Sequence, residues 1–257
     1  MNYLIPAPSH NQPFRVGMLI VTEDTKGNRF YLNDKIKSCQ LNPQEILFYI
    51  KDAHDVGKHF GKRGEISQPN FIVQFAIAKI KESMQKEKES LDTDEADFIS
   101  FNEVYCVVDV DNNLIEKPSG TTKSLLVTAY DEIDKAAKEY PNVKFNLIVS
   151  NECFEIWYIL HFAELTEPLY RNKSAEGKKI RTDKGNNIEN LQYNYLGVNN
   201  KSHKRYFDKL QKLPNSSEEE AIKRAKNLVA RSTQNCPCEN PSTDMYILIE
   251  RLNEFAR

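Results

Sequence analysis

Residues 145–162, FNLIVSNECFEIWYILHF, join one apolar run to a second through the polar pair Ser150 and Asn151. The run at 143–149 is typical of a strand that is buried on both faces, and we expect Ser150 and Asn151 to open a helix that continues to about residue 162. Because apolar residues lie on almost every side of that helix, it should be buried. The segment therefore predicts a strand followed directly by an internal helix.

The same alternation of strand and helix extends through the upstream sequence. VGMLIV at 16–21 and EVYCVVDV at 103–110 predict buried strands, and a further candidate lies at 46–50. Apolar residues at helical spacing predict helices at 71–86 and 125–139. The pattern predicts an α/β protein with a mostly parallel sheet flanked by helices, whose functional groups lie at the C-terminal ends of the strands.

The remaining segments are assigned from composition and from capping signals. The proline-containing stretch 1–15 predicts an N-terminal arm, residues 16–163 the core, and residues 164–257 a polar insertion followed by a helical C-terminal extension that packs on the core. Ser216 with Glu219 predicts a capping box in this extension. We expect a loop at 52–70 and a last helix that starts near Ser242 and runs to Phe255.

Composition restricts the class of protein. The 257 residues allow one principal domain, and the formal net charge of -2 gives no overall attraction for nucleic acid, so nucleic-acid binding would need a local basic patch. No apolar run is long enough to cross a membrane, and the N-terminus lacks a signal peptide. We therefore expect a cytoplasmic protein with no membrane partner, whose five cysteines are reduced thiols.

Asp109 and Asp111 are the first candidates for chemistry. They lie two positions apart at the end of a predicted strand, which points both carboxylates the same way with their α-carbons about 6 to 7 Å apart. Ligands that are all oxygen favour Mg²⁺ or Mn²⁺, and such an ion activates water and neutralises charge on a phosphoryl transition state. The alternative is that both acids cap a turn.

Other acids and one histidine extend this candidate site. Glu23 directly follows the first strand and would join the aspartates if the two strands are neighbours; the alternative is a glutamate that faces solvent. Converging acids need a cation or a proton between them. Glu155, near the positive end of a helix dipole, is a candidate further ligand. For His161 a core histidine bonded to a backbone carbonyl is favoured over a ligand.

Two basic clusters are candidates for contacts with phosphates. The first lies in the glycine-bearing segment at 52–70, and the second precedes Tyr206; either is equally explained as solvated surface. The pair Cys236 and Cys238 lacks a second pair at zinc-like spacing, so we expect a loop there. The basic residues are Lys58, Lys62 and Arg63 in the first cluster and Lys201, His203, Lys204 and Arg205 in the second.

Four stretches resemble, in order and spacing, the successive motifs of the RloB-like family. They are GMLIVTEDTKGNRFY at 17–31, VYCVVDVDNN at 104–113, IVSNECFEIWYILHF at 148–162 and ENPSTDMYILIERL at 239–252. The resemblance implies a core similar to a TOPRIM domain and a place in restriction or phage abortive-infection systems. It further implies a Mg²⁺- or Mn²⁺-dependent nuclease that cuts DNA or RNA, with a partner ATPase encoded nearby.

The resemblance also implies roles for individual residues. Glu23 matches the acid that serves TOPRIM enzymes as general acid or base, and it counts among the metal ligands. Asp109 and Asp111 match the metal-binding pair, and Glu155 matches the acid of the CFE motif, where it would support the metal or bind it directly. A cation such as Lys201 or Lys204 would offset transition-state charge.

The sequence departs from the family pattern in its first motif. Asp24 follows the first acid, and Asn28 stands where the family has a second acid; Glu152 also replaces a proline. Two other functions therefore stay open. One is a non-catalytic interaction subunit of a defence complex, with a structural or vestigial metal site. The other is a phosphotransfer enzyme for a nucleotide or small phosphoester, which would need a closed pocket. Self-association into a homo-oligomer also stays open.

Overall fold

The structure is a computed structural model, and it describes eight stretches of the chain. They are residues 16–40, 46–64, 66–90, 100–110, 125–169, 187–197, 205–231 and 240–256. Several residues and segments named above lie outside these stretches. They are the arm at 1–15, Asp111, Lys201, His203, Lys204, Cys236 and Cys238.

Strands and helices alternate along the first part of the described chain. In order they are β1 (Val16–Thr22), α1 (Gly27–Ser38), β2 (Ile46–Asp52), α2 (Ala53–His59), α3 (Pro69–Ser90), β3 (Glu103–Asp109), α4 (Leu125–Glu139) and β4 (Lys144–Asn151). The second part is mainly helical. Its elements are α5 (Glu155–Leu160), α6 (Ile188–Leu196), α7 (Tyr206–Lys212), α8 (Glu218–Arg231), β5 (Ser242–Thr243) and α9 (Met245–Phe255).

The strands form one sheet in the order β2-β1-β3-β4-β5. The first four are parallel, and only the two-residue β5 runs antiparallel, against β4. The predicted α/β fold with a mostly parallel, helix-flanked sheet is therefore confirmed, and it is compatible with a TOPRIM-like core. Because β1 and β3 are neighbours, the residues that follow them meet at one edge of the sheet.

Both faces of the sheet are buried, which explains the continuous apolar runs in its strands. In β3, Tyr105 and Val107 belong to the core cluster that includes Trp157 of α5 and the buried side of α9. The alternate residues Val104 and Cys106 belong to the second cluster, with α3 and α4. The C-terminal helices α8 and α9 therefore share a core with β1 and β3.

The prediction of a loop at 52–70 is wrong, because α2 occupies its first half. The carboxylate of Asp52 accepts the N–H groups of His54 and Asp55 at 2.9 and 3.1 Å, and Asp55 accepts the N–H of Asp52 in return. This capping box starts the helix. The sequence does contain the pattern of this capping box, which is two acids three positions apart. The glycines that follow favoured a loop in the sequence-based prediction.

The prediction that Ser150 and Asn151 open a helix is also wrong. They end β4, where they pair with Thr243 and Ser242 of β5, and α5 begins only at Glu155. The last helix likewise begins at Met245, after β5, and not near Ser242. Each error has the same cause, because the strand partner lies about ninety residues away and no local pattern reveals it.

Two details of the C-terminal half also differ from expectation. Within the segment predicted to be a polar insertion, α6 buries Ile188 and Leu196, and Asn187 caps its first turn by accepting the N–H of Asn190 at 3.0 Å. At the start of α8 the capping hydroxyl belongs to Ser217, which accepts the N–H of Glu220 at 3.1 Å. The predicted capping residue, Ser216, is therefore wrong by one position.

Two findings concern thiols and membrane spans. Cys39, Cys106 and Cys153 are buried and not linked in a disulfide. Of the helices in the described stretches, none combines the length and the apolar composition that a membrane span requires.

Gly17 lies where β1 passes close to the segment that leads into β3. Its N–H donates to the side chain of Asn102 at 3.1 Å, and the N–H of Asn102 donates to the carbonyl of Gly17 at 2.8 Å. A β-carbon built on Gly17 would lie 1.9 Å from the carbonyl oxygen of Ser100. Because this oxygen belongs to the backbone, the clash can be removed only if β1 moves away from the segment that leads into β3.

We therefore predict that Gly17→Ala lowers the free energy of unfolding by about 1–3 kcal/mol or more, because overpacking a core usually costs that much. Urea denaturation measures the change. Gly61→Asn is the control. A β-carbon built on Gly61 would have no atom within 4 Å, and asparagine tolerates the φ of 66° that Gly61 adopts. Equal stability of Gly17→Ala and the natural protein would contradict the packing described for β1.

Candidate functional site

Two buried acids meet at the C-terminal edge of the sheet. Glu23 follows β1, and its N–H donates to the carbonyl of Val107 in β3 at 3.1 Å. The side chain then turns back, and its Oε2 accepts the N–H of Asp109 at 2.7 Å. Glu23 is 9% exposed and Asp109 is 3% exposed. The structure therefore brings these two predicted site residues together in a place largely shielded from water.

The chain after β4 folds over the end of β3 and brings Glu155 to the same edge. The N–H of Phe154 donates to Oδ1 of Asp109 at 2.8 Å, and the N–H of Val110 donates to the carbonyl of Ser150 at 2.9 Å. Glu155 is the next residue after Phe154 and is buried in the first turn of α5. Asp109 is thus held between the loop after β1 and the start of α5.

A third element, the start of α1, borders the same place. The carboxylate of Asp24 accepts the N–H groups of Lys26 and Gly27, with both oxygens 3.1 Å from the Gly27 nitrogen. The hydroxyl of Tyr158 in α5 donates to the carbonyl of Gly27 at 3.3 Å. Burial raises the pKa of Tyr158, and the charges of Glu155 and Asp24 raise it further. Tyr158 therefore remains a protonated hydrogen-bond donor beside these acids.

Asn28, which departs from the family pattern, lies on the buried side of α1. Its side chain is 1% exposed, and neither amide atom has a hydrogen-bond partner within the described stretches. It shares a helix face with Tyr31 and Lys35, which follow at helical spacing. An amide at this position supplies no negative charge, whereas the resemblance described above implies an acid here.

Asp244 is a buried acid that sequence reasoning missed. It is 8% exposed, its N–H donates to the carbonyl of Val149 at 2.9 Å, and its Oδ2 accepts the N–H of Val149 at 3.4 Å. Burial raises the pKa of Asp244 to about 6, and the Val149 hydrogen bond only partly opposes this. The sequence pattern that could have identified Asp244 is its place at the end of the NPSTD motif. A single acid before a helix is, however, more often an exposed residue that caps the helix.

The first basic cluster lies in the segment that follows β2, the strand next to β1 in the sheet. Lys58, Lys62 and Arg63 are exposed. The N–H of Ile66 donates to the carbonyl of Ala53 at 2.9 Å, so this segment returns to the start of α2, which follows the C-terminal end of β2. The segment thus begins and ends next to the C-terminal end of β2, which is two strands from β3 in the sheet.

The second basic cluster is described only at Arg205. This residue is exposed at the start of α7, and the next residue, Tyr206, stacks on Tyr158 with 4.6 Å between ring centroids. Because the Tyr158 hydroxyl also donates to Gly27, that contact places the start of α7 near the start of α1. Lys201 and Lys204 remain predictions, because they lie outside the stretches with described structure.

His161 lies away from this edge, after the C-terminal end of α5. It is 1% exposed, and its Nδ1 lies 3.3 Å from the hydroxyl of Ser216. The partner is therefore a hydroxyl and not the expected backbone carbonyl. Burial, with smaller contributions from Lys35 and Arg224, lowers the pKa of His161 to about 3. The imidazole is neutral at ordinary pH.

The described side chains fit part of a metal site. Within the eight stretches that the structure describes, no group of three or more His, Cys, Asp or Glu side chains is arranged to hold a metal ion. Glu23 and Asp109 supply two carboxylates at the same edge of the sheet, and carboxylates are the hard oxygen donors that Mg²⁺ and Mn²⁺ prefer. The third predicted ligand, Asp111, follows Asp109 by two positions, beyond the last described residue of that stretch.

Comparison with known proteins identifies the family. A family model described as RloB-like protein matches residues 18–252, nearly the whole chain. This chain belongs to the RloB-like family. No curated protein and no solved structure matches it. The matched region runs from β1 to α9 and includes nearly all of the four stretches that carry the resemblance.

The raised pKa of Asp244 leads to a prediction about stability in this RloB-like protein. The ordinary value is 3.8, and the folded value is about 6. The folded state therefore holds this proton more tightly than the unfolded state does. Binding of this proton stabilises the folded state fully below about pH 4, and the stabilisation is lost as the pH rises through about 6.

We predict that Asp244→Asn unfolds with a higher free energy than the natural protein at pH 7.5, by up to about 3 kcal/mol, and that the difference disappears near pH 4. Asparagine still accepts the Val149 N–H, so the geometry is retained. Denaturant titrations across this pH range measure the difference. Asp134→Asn, at an exposed position of α4, is the control and should leave the pH profile unchanged. A constant difference for Asp244→Asn at all pH values would contradict the assignment.

Proposed function

We propose that this RloB-like protein is a phosphodiesterase that depends on Mg²⁺ or Mn²⁺ and cuts DNA or RNA. The observation that carries the proposal is the pairing of buried Glu23 with buried Asp109 at the C-terminal edge of adjacent parallel strands. Family membership supports it further, since the matched region includes both residues.

Electrostatics gives the physical reason to expect a cation here. Burying a carboxylate is costly, and a second carboxylate nearby raises the cost, unless a proton or a positive ion offsets the charge. The backbone N–H groups of Asp109 and Phe154 offset part of it. They also fix the orientation of both side chains, so that the carboxylates form a rigid set of oxygen donors.

Each residue then has a role in the proposed reaction. Glu23, Asp109 and Asp111 would hold the metal ion, and Glu155 would support it or bind it directly. Such an ion supplies an activated water and neutralises charge on the phosphoryl group. Glu23 would also accept and return a proton, and Tyr158, kept protonated by burial, holds the start of α1 beside the acids through its hydrogen bond to the Gly27 carbonyl.

Exposed cations near the candidate site support a polymeric substrate. Lys58, Lys62 and Arg63 follow β2 and Arg205 precedes α7, and both groups are proposed to contact a phosphate backbone that crosses the acidic edge. Lys201 and Lys204, which precede Arg205 in the sequence, are proposed to add to the second cluster and to offset transition-state charge. An exposed arrangement of this kind fits a nucleic acid better than a small phosphoester.

Family membership also supports a biological setting. We place this nuclease in an anti-phage defence system of the abortive-infection type, acting with an ATPase encoded nearby. A second candidate function is a non-catalytic subunit of such a complex. The buried amide of Asn28, in place of an acid, favours that candidate, because it removes one negative charge from the site.

We predict that Asp109→Asn and Glu23→Gln each lower cleavage of DNA or RNA by on the order of 100-fold, in line with losses from perturbed metal sites. Both amides still accept the N–H groups that the acids accept now, so the fold is retained and only charge is lost. Rates with plasmid, single-stranded DNA and total tRNA, each with Mg²⁺ or Mn²⁺, measure the effect.

Asp134→Asn, at an exposed position of α4, is the matched control and should cleave like the natural protein. Cleavage that survives in both Asp109→Asn and Glu23→Gln would contradict the proposed site. Inertness of the natural protein on all three substrates, also with the neighbouring ATPase present, would favour the non-catalytic candidate.

A separate prediction tests the basic cluster beside β2. The double change Lys62→Gln with Arg63→Gln should weaken binding of any nucleic-acid sequence about equally, because these side chains would contact phosphates and not bases. It should also reduce the slope of log affinity against log salt by about 1 to 2. Lys135→Gln, an exposed change on α4, is the control. An unchanged salt slope would exclude this cluster from the binding surface.

A further inference from the structure

Arg29 is a basic residue at the C-terminal edge of the sheet that belongs to neither of the two basic clusters. It lies in the first turn of α1, and its guanidinium forms an ion pair with Asp52, the last residue of β2. Asp52 is 2% exposed, and its Oδ1 accepts the N–H groups of His54 and Asp55 at the start of α2. A buried carboxylate at a fixed place in the sheet therefore holds the arginine.

The register of the strands gives the distance between Asp52 and the acids of the candidate site. Asp52 of β2 and Val107 of β3 both pair with Thr22, from opposite sides of β1. Asp52 and Val107 therefore lie level with each other, about 10 Å apart at two strand spacings. Glu23 follows Thr22 directly, and Asp109 follows Val107 by two positions. The ion pair with Arg29 thus lies at the same edge as these acids and close to them.

Asp52 and Asp109 also point to the same side of the sheet. Successive side chains of a strand alternate between its two faces. Ile50 of β2 packs against the core cluster that α1 and α5 share, and Val107 of β3 belongs to that cluster. Each aspartate comes two positions later in its strand, so both carboxylates lie on the side of α1 and α5. Two contacts agree with this, because Asp52 pairs with a residue of α1 and Asp109 accepts an N–H from the residue before α5.

The ion pair fixes the arginine without enclosing it. The nitrogen that contacts Asp52 is Nη1, and the side chain of Arg29 as a whole is 37% exposed. A guanidinium presents five N–H donors in a rigid fork, and this fork matches the oxygens of a phosphate. One buried carboxylate can therefore orient the group while a ligand from solvent approaches its remaining donors.

The charges at this edge favour a phosphate contact over a purely structural role. When ionised, Glu23, Asp109 and Glu155 carry more negative charge than one divalent ion offsets. A phosphate that approaches them is itself an anion, so it needs further positive charge within a few ångströms. Arg29 is a cation that the strand register places beside these acids, on the side of the sheet to which Asp109 points.

We propose that Arg29 binds a phosphate of the nucleic-acid backbone next to the phosphate that reacts, with Asp52 holding the guanidinium in place. Arg29 is then a binding residue, and Asp52 is a positioning residue. This inference rests on the proposed function, because it takes the acids at the edge as the site of phosphodiester cleavage. It adds to that site a substrate contact that the sequence patterns did not indicate.

Anisotropy titrations of the full chain with labelled single-stranded DNA and labelled tRNA test the proposal. Ca²⁺ replaces Mg²⁺, because it also takes oxygen ligands but with a looser geometry, so that binding is followed with cleavage suppressed. We expect Arg29→Gln to weaken binding by about 10-fold or more, the effect of losing hydrogen bonds between charged groups. The slope of log affinity against log salt should fall by about 1.

Arg231→Gln is the matched control. Arg231 is an exposed arginine that pairs with Glu164, which follows the C-terminal end of α5, whereas the candidate site borders the start of that helix. This change should leave both the affinity and the salt slope unchanged.

Arg29→Lys covers the case in which Arg29→Gln does not fold, because lysine keeps a positive charge opposite Asp52. This variant should keep the salt slope but bind about 3-fold or more weakly, since an ammonium lacks the paired donors of a guanidinium. Urea denaturation identifies which variants are folded.

Unchanged affinity in every folded Arg29 variant would overturn the proposal and leave Arg29 as a structural partner of Asp52 alone. An equal loss in Arg231→Gln, or no binding of either nucleic acid by the natural protein, would also overturn it. These results are distinct from those of the nuclease test. Cleavage by the natural protein together with normal binding by the Arg29 variants contradicts only this inference, whereas binding that depends on Arg29 without any cleavage contradicts only the proposed nuclease.

Discussion

The hydrogen bond from the backbone of Asp109 to the side chain of Glu23 is the interaction on which the candidate site depends. It links the loop after β1 to the end of β3, and it exists only because those two strands are parallel neighbours. The N–H of Phe154 then binds the carboxylate of Asp109, so the start of α5 is positioned by the same acid. Loss of this register would separate every acid that the proposed chemistry uses.

The candidate site combines buried acids with exposed basic residues in other segments of the chain. Burial makes their negative charge costly, while Lys62 and Arg63 after β2 and Arg205 before α7 are exposed cations. Buried acids together with exposed cations suit a phosphate backbone and a divalent ion. Both acids lie within the region that matches the RloB-like family, and the amide of Asn28 on α1 is buried without a hydrogen-bond partner in the described stretches.

The sequence predicted the elements that depend on local patterns of apolar residues. The predictions failed where the structure of a segment depends on contacts with residues far away in the chain. The buried strands β1 and β3 were predicted because their apolar runs are continuous, and the position of Glu23 after β1 made its meeting with Asp109 a testable expectation. Ser150 and Asn151 were misassigned because β5, which pairs with them, is two residues long and far away in the chain. Asp244 was missed because its burial results from packing against β4, a strand about ninety residues earlier in the chain.

The most direct test of the paired acids as a metal site is a crystal structure of the protein soaked in Mn²⁺, with anomalous density used to locate the ion. We predict a peak within coordination distance, about 2.0–2.3 Å, of carboxylate oxygens from both Glu23 and Asp109. Anomalous density elsewhere on the molecule, with none between these two residues at saturating Mn²⁺, would contradict the claim that they hold a metal ion.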